Sequence, residues 1–203
     1  MKRVFIKDIR DIANASREEL FEQSRSVGRD RPLCIMHWTA GWGDSLFPDY
    51  HVSVTTDGKI YIAEDSFAET LSHTWKLNTG TIGVAMCCCV GADTEDLGEE
   101  PPTDSQIEVF SQVVAAICDG TRLTINSNNV LTHGEAADSL EFYDSEDLYG
   151  PRTTCERWDL EYLGTKESPI FNPWASDGSR GGDVLRGKAN WYHNYWAENA
   201  KKA

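Results

Sequence analysis

Basic residues are scarce in this chain: 19 lysines and arginines stand against 33 aspartates and glutamates, for a net charge of −14. Such a surface repels phosphate backbones and anionic membrane faces, so no nucleic-acid partner is expected. Long apolar runs are also missing. None reaches the roughly 20 residues that a membrane-crossing helix needs, which predicts no integral membrane association. The start, Met1-Lys2-Arg3-Val4-Phe5-Ile6-Lys7-Asp8, does not continue into the apolar stretch of a signal peptide. Synthesis in the cytoplasm without a signal peptide is therefore expected. Internal repeats and extended linkers are absent too, and 203 residues suit one core better than two.

Cysteine is present, six in all, but not at the spacing of a zinc finger. Cys87, Cys88 and Cys89 are consecutive in a run that reads as a buried strand, where neighbouring side chains point to opposite faces. Cys34 lies in another apolar run and Cys118 near a helix end. This pattern predicts buried, reduced thiols rather than a stapled secreted fold. A hydrophobic fraction of 40% and seven tryptophans indicate a folded globular protein.

Along the chain, residues 17–24 have the composition of a short helix, ended by Arg31-Pro32. Leu33 to Trp38 reads as a strand. Tyr50 to Val54 and Lys59 to Ile62 flank an Asp57-Gly58 turn, a hairpin signature. Thr81 to Met86, running into the cysteines, reads as a central strand. The acidic stretch from Asp93 to Asp104 is a solvated loop. Thr103 and Gln106 suggest a capping box, followed by Ile107, Phe110, Val113, Val114 and Ile117 at helical spacing, with Asp119-Gly120 as the stop. Val130 to His133 leads into a short helix at Glu135 to Ala137. Ala189 to Glu198 predicts a short aromatic helix carrying Trp191, Tyr192, Tyr195 and Trp196, which either packs the tail onto the domain or offers a further binding surface.

The chemistry-bearing residues are few. There are five histidines, and no H-E-x-x-H helix. Any metal ligands must come from separate strands and loops. Four separated blocks then carry a resemblance: Ile35-Met36-His37-Trp38-Thr39-Ala40-Gly41; Tyr50-His51-Val52 with Asp57-Gly58; Ser72-His73 with Asn78 and Ile82-Gly83-Val84; and Thr132-His133 with Arg157-Trp158-Asp159. In order and spacing they are similar to the zinc-dependent N-acetylmuramoyl-L-alanine amidases, a family that includes phage lysozyme-like amidases and peptidoglycan recognition proteins.

The resemblance implies a single α/β domain with a mixed central β-sheet flanked by helices. Residues 31–165 would form the catalytic core. Residues 1–30 and 166–203 would be extensions packed on it. It implies a zinc ion (Zn2+) held by His37, His133 and Asp159, with Cys155 as the rival third ligand. Such a donor set leaves zinc the positive charge to acidify water and polarise an amide carbonyl. Tyr50 matches an active-site tyrosine, whose plainer reading is strand packing. Arg157 stands where the family usually has a lysine. That departure weakens a proton-transfer role and leaves electrostatic stabilisation of an oxyanion. Glu135 reads either as a proton acceptor or orienting group, or as an exposed helix residue. His73 matches a cleft position and could contact substrate or pack structurally. Trp38, Trp42 and Trp75 are candidate substrate-facing indoles, at least one of them belonging to the core. His51 is assigned a structural role, and His193 lies outside the resemblance.

The implied activity is hydrolysis of the bond between N-acetylmuramic acid and L-alanine, with peptidoglycan or a muropeptide as partner. A bacteriolytic phage or prophage endolysin, released to the cell wall by a separate system, fits the missing signal peptide. A recycling amidase and an injected effector remain open, as does a non-catalytic peptidoglycan-binding module.

Overall fold

A computed structural model describes residues 1–93, 95–139 and 159–201. Ten elements follow in order: β1 (Lys2–Val4), α1 (Ile6–Ser26), β2 (Leu33–Trp38), β3 (Val52–Val54), β4 (Ile60–Ile62), β5 (Thr81–Met86), α2 (Asp104–Thr121), β6 (Val130–Thr132), α3 (His133–Asp138) and α4 (Gly181–Ala200). The strands form one six-stranded sheet in the order β1-β4-β3-β5-β2-β6. β3, β5, β2 and β6 run parallel, whereas β1-β4 and β4-β3 are antiparallel. This is the mixed sheet with flanking helices that was expected.

Every residue of β2 and β5 is buried, as parallel strands covered on both faces must be. Alternation divides them between two layers. Cys34, Met36 and Trp38 of β2, with Ile82, Val84 and Met86 of β5, join the main core with α1, α2 and α4. Leu33 and Ile35 point to the other face, where they meet Leu77, Leu131 and Ala136. His37 shares this second face.

The helices depart from their expected lengths. α1 spans 21 residues rather than 17–24. Its buried positions Ile9, Ala13, Ser16, Leu20 and Ser24 form one stripe, and its start is held by Asp8, whose carboxylate accepts the Phe5 N–H at 2.9 Å. β1 was not foreseen; it pairs with β4 at the sheet edge. At α2, Thr103 caps the Gln106 N–H at 3.1 Å, but the Gln106 side chain does not complete a capping box. It donates instead to the carbonyls of Val54 and Cys87, at 2.9 and 3.0 Å. The helix continues past Asp119-Gly120 to Thr121, where Arg122 takes the left-handed conformation. α4 is 20 residues long, twice its expected core.

The cysteine run is buried as expected, but the strand ends at Met86, before it. Cys34, Cys87, Cys88, Cys89 and Cys118 are all buried free thiols. Burial pushes the Cys34 thiol up to about 12, so it stays protonated and unreactive at neutral pH.

Candidate metal centre

The site follows from strand register. β2 and β6 pair in parallel with Met36 opposite Thr132. The next residues, His37 and His133, therefore sit side by side at the carboxyl ends of adjacent parallel strands, the usual place for a site in an α/β sheet. Thr132 is also the N-cap of α3. Its hydroxyl accepts the Glu135 N–H at 3.0 Å, while the Glu135 carboxylate accepts the Thr132 N–H at 2.8 Å. This capping box fixes the backbone at His133. Asp159 arrives from the far end of the chain, and the Gly134 N–H donates to its carbonyl at 3.3 Å.

All three side chains are buried. His37 Nδ1 lies 3.2 Å from Asp159 Oδ2, and His133 Nδ1 lies 3.5 Å from the same oxygen. Asp159 Oδ1 is occupied elsewhere, accepting the Trp38 N–H at 2.7 Å. The three candidate ligand atoms all lie within 4.8 Å of one another. A zinc tetrahedron with bonds of about 2.0–2.1 Å has edges of roughly 3.3 Å. The two histidine-to-aspartate separations match such edges, and two imidazoles with one carboxylate are a suitable zinc donor set. These residues can therefore hold the ion that the resemblance implies.

The electrostatics are those of a site ready for a cation. Burial pushes the His37 imidazole down to about 4, against the opposing pull of its hydrogen bond to Asp159. His37 is thus neutral at pH 7, as a metal ligand must be. Burial alone would raise Asp159, but the hydrogen bonds from His133 and His37 outweigh it and hold the carboxyl below its ordinary value.

A second layer holds His37 from behind. Its Nε2 lies 3.3 Å from His73 Nδ1 and 3.4 Å from the Thr74 hydroxyl. Asn78 ties that turn by accepting the N–H groups of His73 and Thr74 at 3.2 and 2.7 Å. Gly83 makes room for the ring, since a Cβ there would lie 2.5 Å from His73 Cγ. His73 is buried and lies against His37. His51 is structural, as foreseen: its Nε2–H donates to the Glu69 carbonyl at 2.7 Å while Nδ1 accepts the Gly83 N–H at 3.0 Å.

The remaining sequence candidates fall in several places. The half-buried Tyr50 has its ring centroid 5.0 Å from that of His37. Trp38 is a core residue, and it serves the site through its backbone N–H rather than its ring. Trp42 and Trp75 are exposed. Trp42 borders a cleft of about 480 Å3 with Thr55, Asp57, Tyr61 and Glu100; none of the three candidate ligands lines it. Arg157 and Cys155 lie outside the described residues. Glu135 is not exposed: Arg186 holds both its carboxylate oxygens, at 2.6 and 2.7 Å. Sequence reasoning missed Arg186, Arg180 and Thr74, all of which act through partners distant in sequence or through backbone.

Residues 12–157 match the family described as N-acetylmuramoyl-L-alanine amidase. No curated protein and no solved structure matches the chain. The match covers well over half of the sequence, and the chain belongs to this family. At that level its chemistry is that of a peptidoglycan amidase. No helix among the described residues is long and apolar enough to cross a membrane.

Proposed function

We propose that this protein hydrolyses the amide joining N-acetylmuramic acid to the L-alanine of the peptide stem, using a zinc ion held by His37, His133 and Asp159. The carrying observation is the convergence of two imidazole Nδ1 atoms on one carboxylate oxygen, at 3.2 and 3.5 Å, in a chain of the amidase family. Water adds across the amide: its hydroxyl goes to the lactyl carbonyl carbon and its proton to the departing alanine amine. When bound, the ion supplies Lewis acidity, which makes water more acidic and the carbonyl more electrophilic.

The chain's own residues do the positioning. The Trp38 N–H fixes Asp159 Oδ1 and so turns Oδ2 toward the histidines. His73 and Thr74 engage His37 Nε2, which leaves Nδ1 for the ion. Tyr50, beside His37, assists the attacking water or the substrate carbonyl. Arg157 opposes the charge that develops on the carbonyl oxygen. Trp42 and Trp75 offer exposed indoles to the sugar or stem. The biological setting proposed is that of a phage or prophage endolysin that reaches the wall through a lesion made by another protein.

Mass spectrometry of digested peptidoglycan tests the reading. The expected products are stem peptides with a free alanine amine and glycan strands of undiminished length, formed with zinc and not after chelation. Cleavage in the glycan or inside the stem would overturn the reading. Binding to the wall with no cleavage at saturating zinc would instead support a non-catalytic peptidoglycan-binding module.

A further inference from the structure

We infer that the N-terminal end of α4 is a clamp that fixes His133 and Asp159 relative to one another, with Arg180 and Arg186 as positioning residues for the metal centre. This inference rests on the metal reading above. Two of the three ligands are followed at the same interval by a glutamate: Glu135 two residues after His133, and Glu161 two residues after Asp159. Both glutamates are gripped by an arginine from one end of α4. Arg186 donates to the two oxygens of Glu135 at 2.6 and 2.7 Å. Arg180 donates to Glu161 through Nε at 3.0 Å and through Nη2 at 2.6 and 2.7 Å. Two-pronged pairs of this kind fix orientation as well as distance.

Arg186 goes further into the ligand strand. Its Nη1 also donates to the Val130 carbonyl of β6 at 2.9 Å, and Asp183 holds its Nη2 at 2.6 Å. The side chains of Arg186 and Glu161 are almost completely buried, at 7% and 0% exposure. Losing one partner would strand a buried charge, so these pairs specify geometry strongly whatever their net stabilisation.

The two glycines between the arginines explain how one helix end serves both ligands. A Cβ on Gly181 would lie 2.2 Å from the Leu160 carbonyl oxygen, and one on Gly182 would lie 2.6 Å from Glu135 Oε1. Gly181 thus abuts the Asp159 segment and Gly182 the His133 segment. The Gly181 N–H also donates to the Glu161 carbonyl at 2.9 Å. Between Asp159 and Glu161, Leu160 takes a left-handed φ of 58°, which a branched residue adopts only when its neighbours hold it there. Arg180 and Gly181 supply that hold. All of α4, like Asp159 and Glu161, lies beyond the family-matched residues 12–157.

The test is metal affinity of the full chain, measured by zinc competition against a chelating dye and by the visible spectrum of bound Co2+. Arg180→Met and Arg186→Met should each weaken zinc binding by about 10- to 100-fold and alter the Co2+ spectrum. Tyr192→Phe is the control: it removes the bond from the same helix to Glu108 and should leave zinc affinity unchanged. If a Met variant fails to fold, Arg→Lys at that position carries the test. Lysine keeps the charge but loses the fork, and a several-fold loss of affinity is expected. Wild-type affinity in the arginine variants, or an equal loss in Tyr192→Phe, overturns the clamp while leaving the metal reading intact. No zinc binding by the unaltered chain overturns both.

Discussion

His51 has both ring nitrogens committed, one donating to the Glu69 carbonyl and the other accepting the Gly83 N–H. Only the neutral ring satisfies both. Burial pushes its pKa from 6.5 down to about 4. The folded state therefore binds fewer protons at this ring than the unfolded chain between those values. Its contribution is complete above the unfolded pKa and is lost as pH falls through the window toward about 4. A shift of that size corresponds to about 3 kcal/mol. His51→Gln should flatten the stability profile between pH 6.5 and 4 relative to the unaltered chain, read by urea unfolding of the metal-free protein. Identical slopes for the two proteins would show that His51 does not titrate this way. The role of this histidine was legible in the sequence as structural, from its place on a strand opposite Tyr50. The engagement of His73 with His37 was not, because it depends on Gly83 lacking a Cβ on a neighbouring strand.

At the scale of elements, β2, the β3–β4 hairpin, β5 and most of α2 could be read directly, because each has an unbroken pattern between clear breakers. α1 and α4 were cut short for opposite reasons. α1 carries Asn14 and Ser16 where an apolar stripe was sought, yet Ser16 is buried and accepts the Phe67 N–H at 2.9 Å. α4 opens on Gly181-Gly182, which reads as a breaker, although the glycines serve close approach to the ligand segments. Gly120 has the same meaning within α2. A Cβ there would lie 2.5 Å from the Arg10 carbonyl oxygen, so its absence lets α1 and α2 touch backbone to backbone. Gly120→Val should force these helices apart and destabilise the fold by about 1–3 kcal/mol, seen as a lower urea midpoint. An unchanged midpoint would mean that the two helices do not pack this closely.

For the whole molecule, the sheet separates stability from chemistry. One face carries the large core with α1, α2 and α4; the other carries His37 and the second, smaller cluster. Parallel register places His37 and His133 together, and Asp159, distant from both in sequence, completes the group. His37, His133 and Asp159 could all be proposed from the family resemblance. The placement of Asp159 could not be derived from periodicity or spacing, because a buried turn with Leu160 at positive φ has no pattern in sequence. The central claim is that these three side chains hold the ion on which hydrolysis depends. It is tested most directly by titrating zinc into the stripped protein while following both bound metal and amide cleavage, for the unaltered chain and for Asp159→Ala. The account expects one zinc per chain, cleavage rising in proportion to occupancy, and loss of both in the variant. Full cleavage by the stripped protein, or undiminished zinc binding and cleavage in Asp159→Ala, would contradict it.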